Sequence, residues 1–70
     1  MYDEFKKTVR QRVKTSKDAT FTYSQIIKLS KTGHHEKHRP IHISSIVAKQ
    51  LRLKIHVNKN RTISFIGGGG

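Results

Sequence analysis

Between Pro40 and Ile66 the apolar residues change their period, and that change limits the folds open to the chain. In Ile43-Ser-Ser-Ile-Val-Ala-Lys-Gln-Leu51 they fall at 43, 46, 47 and 51, one face of a helix with a 3.6-residue repeat. Ser45, Lys49 and Arg52 fall on the opposite face. From Lys54 the period drops to two. Ile55 and Val57, then Ile63 and Phe65, alternate with polar residues, as in strand, turn, strand. Directly opposed residues of antiparallel strands share a face, so Val57 should face Ile63 and Ile55 should face Phe65. That register requires an odd-numbered loop, either Lys59-Asn60-Arg61 or Asn58 through Thr62. A two-residue turn would set Val57 against Thr62 and split the apolar residues between two faces. Lys59 and Arg61 are therefore expected at the tip of a protruding ribbon that begins at Lys54.

The segments before Pro40 supply two more helices. Tyr2, Phe5, Val9 and Val13 lie three and four apart and form one apolar stripe, predicting a helix from Tyr2 to about Lys14. Asp3 and Glu4 in its first turn and Arg10, Arg12 and Lys14 near its end suit the helix dipole. Lys6, Lys7 and Arg10 lie off the stripe, and an ordinary solvated face is the preferred reading for them over phosphate contact. An exposed part of the stripe would be the surface for a homodimer. A loop follows, and Thr20-Phe-Thr is read as a short extended segment. Thr22-Tyr-Ser-Gln25 matches a capping box, with Phe21 and Ile26 placed as a hydrophobic staple. The second helix runs from there to about Lys31, burying Ile26, Ile27 and Leu29 or part of that set, with Gly33 expected at its C-terminal cap.

Lys31 to Pro40 is a basic loop containing Lys37, Arg39, His34, His35 and His38. Pro40 disfavours helix at Arg39, so the loop should end in extended form. His34, His35, His38 and His42 have spacings compatible with imidazole ligation of zinc or nickel. No cysteine is present and Glu36 is the only carboxylate nearby, so a solvated anion-binding loop is preferred and no metal is assigned. Unperturbed histidine titrates near pH 6.5, so its positive charge should rise near pH 6. The third helix is expected to begin between His42 and Ser44, capped by one of the two, and to run to about Leu53.

Charge then selects the class of partner. The 70 residues hold 15 Lys and Arg against 4 Asp and Glu, a net charge of +11, and the isoelectric point is about 10.6. Such a surface seeks an anionic counter-surface, nucleic acid first. The length allows one domain, read as residues 1–66, with Gly67 to Gly70 a low-complexity flexible tail. A chain this short buries only about 60% of its unfolded surface. Without cysteine it has no disulfide framework. No apolar run approaches the ~20 residues that span a bilayer, and the N-terminus lacks a signal-peptide core. A cytoplasmic, nucleoid-associated or nuclear setting is the default expectation.

The order helix, short extended segment, helix, loop, helix, β-hairpin resembles a winged helix-turn-helix domain over Tyr2 to Ile66. The expected fold class is α+β, three helices followed by a C-terminal hairpin, with a short extra strand near Thr20–Thr22. The resemblance implies double-stranded DNA binding, with the third helix in the major groove and the wing on the backbone or minor groove. Carried over, Ser45, Lys49 and Arg52, with Ser44 beside them, would face the groove. Lys59 and Arg61 would lie at the wing tip, and Lys28 and Lys31 near phosphates. Lys37, Arg39 and Lys54 join the set as neighbouring cations. The link from Lys31 to Ile41 is longer than the turn of a compact helix-turn-helix. Arg52 or Lys49 would read guanine N7 and O6, and wing and loop cations would add affinity by counterion release. A transcriptional regulator or architectural factor is the expected role.

Two other classes stand beside this one. RNA or ribosome binding suits the charge and size, but Tyr2, Phe5, Phe21 and Phe65 all read as core, leaving Tyr23 alone to stack on bases. A basic module docking on an acidic protein surface is the third. An enzyme is not expected: the sequence has no cysteine nucleophile, no paired carboxylates and no glycine-rich phosphate loop. No cofactor is implied.

Overall fold

The computed structural model describes residues 2–16, 18–31 and 39–67. The order is α1 (Asp3–Ser16), β1 (Asp18–Thr22), α2 (Tyr23–Ser30), α3 (Pro40–Leu51), β2 (Lys54–Val57) and β3 (Thr62–Ile66). This is an α+β fold, with three helices packed on one face of a three-stranded antiparallel sheet. The expected final ribbon is not free-standing. β3 is the central strand, flanked by β2 and by β1, which arrives from between α1 and α2. The short extended segment thus becomes a full sheet member, interleaved with the helices.

The register follows the alternation argument. Val57 pairs with Ile63 and Ile55 with Phe65, while β1 sets Ala19 against Phe65 and Phe21 against Ile63. The backbone N–H of Asn58 donates to the Thr62 carbonyl at 2.9 Å. This leaves Lys59-Asn60-Arg61 as the loop. A three-residue hairpin loop carries a left-handed residue, usually glycine, and Arg61 occupies that position with φ 60°.

Phe5, Phe21 and Phe65 form the centre of the core. Their rings meet edge to face, with centroids 5.7 Å apart for Phe5 with Phe21 and with Phe65, and 5.9 Å for Phe21 with Phe65. Each such pair contributes about 0.5–1.5 kcal/mol beyond its area burial. Val9, Ile26, Ile43, Val47 and Ile63 complete the fully buried large apolar set. The α1 stripe is wholly committed here: Tyr2, Phe5 and Val9 are buried and Val13 packs against them. It therefore offers no exposed apolar strip for a dimer.

Helix boundaries bear out one expectation and correct two. Thr22 is the N-cap of α2 and its capping box with Gln25 is complete, at 3.1 and 2.9 Å. The helix ends earlier than Gly33, however, with Lys31 as its left-handed cap at φ 52° and ψ 39°. Within α2, Ile26 is buried and Leu29 half-buried, but Ile27 is exposed. Arg39 is extended, as the following proline requires. Neither His42 nor Ser44 caps α3: Arg39 is the N-cap and Pro40 the first helical residue. Proline fits there because the N–H it lacks would have no helical acceptor. Among the described residues no helix is long and apolar enough to cross a membrane.

Candidate nucleic-acid interface

From Pro40 to Gly67 the chain contains no Asp or Glu, while Lys49, Arg52, Lys54, Lys59 and Arg61 all lie in it. All five are exposed. On α3, Ser45 and Lys49 share the outer face with His42, at a spacing of three and then four. His42 belongs on that stripe, although its sequence position suggested only a cap or a metal ligand. Ser44 does not belong on it. It is fully buried beside Ile43, Val47 and Ala48, and its hydroxyl has no hydrogen-bond partner among the described residues. Small size at a close packing position explains it, and it is withdrawn from the interface.

Arg52 closes α3. Leu53 N–H donates to the Ala48 carbonyl at 2.8 Å and Arg52 N–H to the Lys49 carbonyl at 3.3 Å. This is the paired bonding of a Schellman cap, which normally takes glycine in the left-handed position. Arg52 holds it at φ 59° and ψ 42°. A side chain bearing a Cβ is strained there by about 1 kcal/mol. Its guanidinium has no ion pair, hydrogen bond or ring contact among the described residues.

The other expected contacts separate into tied and untied cations. Lys31 Nζ lies 2.7 Å from Glu4 Oε2, and the hydrogen bond and charge of Lys31 hold the Glu4 carboxyl below its ordinary value. Arg61 is not a loose tip residue. Its carbonyl accepts from Tyr23 N–H at 3.2 Å, and its guanidinium lies over the Tyr23 ring, 5.9 Å from the centroid. That contact also covers the one aromatic side chain left for base stacking. Lys28, Lys49, Lys54, Lys59 and Arg39 are exposed without a charged partner among the described residues. Lys37, His34, His35 and His38 lie outside the described residues, and among those described no cluster of three metal-ligating side chains occurs.

The open sheet face adds a polar surface that sequence periodicity alone did not reveal. Thr20 and Ser64 hydroxyls are 2.9 Å apart, and Asn58 Nδ2 donates to both Thr62 Oγ1 and Ser64 Oγ, at 3.0 and 3.1 Å. Thr62 Oγ1 donates to Asn60 Oδ1 at 2.6 Å. These bonds fix the ribbon tip that carries Lys59. Compared with protein families, curated proteins and solved structures, the chain matches none.

Proposed function

We propose that this chain is a small basic winged-helix protein that binds double-stranded DNA with modest sequence preference, as a transcriptional regulator or architectural factor of nucleoid or nucleus. The observation that carries the reading is Arg52, a strained cation with no internal partner at the end of a helix whose outer face bears Ser45 and Lys49. Glycine would relieve that strain, and an external anion would give the exposed guanidinium the partner it lacks within the fold. The element order, with three helices, an interleaved strand and a final antiparallel pair, supports the winged-helix resemblance. In this reading α3 enters the major groove, Arg52 and Lys49 meet guanine edges, and Lys54 and Lys59 neutralise phosphates from the ribbon. Lys28 adds a contact from α2.

Fluorescence anisotropy with mixed-sequence duplex DNA, duplex RNA and single strands, each across a salt series, tests this reading. Tightest binding to duplex DNA is expected. About three phosphate contacts, from Lys54, Lys59 and Lys28, predict a log K against log salt slope near −2.7. Preference for RNA, or no binding at physiological salt, moves the function to an RNA or an acidic protein partner.

A further inference from the structure

The described residues form two clefts beside α1, and their charges differ. One, of about 510 Å³, contains both Asp3 and Glu4, with Lys7 and Lys31. The other, of about 500 Å³, lies between α1 and the end of α3, and is lined by Lys6, Lys7, Arg10, Gln50, Leu51 and Asp3. Here three cations face one carboxylate. Lys6 is half-buried and reaches Asp3 at 3.5 Å, Lys7 also acts on Glu4 from the neighbouring cleft, and Arg10, three residues beyond Lys7 on one helix face, has no carboxylate partner among the described residues. Gln50 brings an amide donor from the opposite wall. The Arg52 and Leu53 N–H groups cap the Lys49 and Ala48 carbonyls, while the negative pole of α3 at Gln50 and Leu51 opposes an anion and has to be outweighed by the α1 cations. A concave site with this charge concentrates anions.

We infer that the cleft between α1 and α3 binds a nucleic-acid phosphodiester, giving the protein a backbone contact separate from the α3 outer face and the ribbon. Lys7 and Arg10 supply the charge, Gln50 donates to a phosphate oxygen, and Lys6, held by Asp3, sets the cleft's inner wall. This rests on the nucleic-acid reading above. The phosphate comes either from the flank of the duplex already bound or from a second duplex.

The test compares wild type with K7Q/R10Q. Both positions are exposed and glutamine is a good helix former, so the fold is retained and thermal melting checks it. If one duplex fills both sites, the variant's salt slope falls in magnitude by about 1.8, two contacts at 0.9 each. If a second duplex occupies the cleft, wild type brings donor- and acceptor-labelled duplexes together in energy transfer, and the variant loses that signal while keeping its slope. Wild-type duplex binding with slope and bridging both unchanged in the variant overturns the cleft and leaves the proposed function standing. If wild type binds no duplex, titration with inorganic tripolyphosphate decides the cleft alone. A shift of the Gln50 side-chain amide signal in NMR, absent in K7Q/R10Q, retains it as a phosphate site, and no shift rejects it.

Discussion

Two helices in this protein end the same way and use the ending differently. Lys31 after α2 and Arg52 after α3 are both left-handed caps, at φ 52° and φ 59°, and both put a long cation where glycine would be less strained. Lys31 turns back onto α1 and grips Glu4. Arg52 has its backbone satisfied by the Schellman bonds, yet its side chain finds no partner among the described residues. One strained cation is explained within the fold and the other is not. Strain of this kind therefore points to function only after internal partners have been counted. Arg61, a third cation in the same conformation, falls with Lys31 because Tyr23 holds it.

The comparison breaks most visibly in sequence discrimination. Lys49→Ala with Arg52→Ala should narrow the affinity gap between a preferred and a scrambled duplex by tenfold or more, since each bidentate arginine–guanine pair contributes about 1–3 kcal/mol. Competition binding with the two duplexes reads this directly, and equal loss on both removes the groove role. Lys31→Gly should do far less: duplex affinity stays within about twofold, because its exposed charge is already paired with Glu4 and partly screened. A tenfold loss would mean that Lys31 leaves Glu4 to contact DNA.

The smallest effect is electrostatic and local. The Glu4 carboxyl is depressed by Lys31, so the pair's contribution is fully present above the ordinary glutamate value near 4.5 and is lost as pH falls through the lower folded value. NMR titration of the Glu4 carboxyl should show its midpoint below 4.5 in wild type and back at the ordinary value in Lys31→Gly. An ordinary midpoint in wild type would dissolve the internal partnership. Both groups are exposed, so global stability should hardly respond.

Much of this was legible because it is local. The change of period after Leu51, the Thr22–Gln25 box and the Val57–Ile63 register depend on neighbours a few residues apart. What escaped depends on distance along the chain. β1 takes its place through Thr20 and Ser64, 44 residues apart, and no local pattern encodes that pairing. Ser44 looked like an outer-face hydroxyl because serine is polar, but α3 needed a small residue between Ile43 and Val47. Pro40 was read as the end of a loop, whereas its fixed φ serves equally as a helix start. The cleft needed two helices 40 residues apart to meet, from Arg10 to Gln50.

The central claim, that Arg52 is held in a strained cap for an external polyanion, is tested most directly by Arg52→Gly, measuring melting temperature and duplex-DNA affinity on the same sample. Relief of the left-handed strain should stabilise the fold by about 0.5–1 kcal/mol, or about 3–6 °C, while affinity falls about tenfold. Higher stability with unchanged affinity would contradict the account, because the strain would then serve nothing outside the fold.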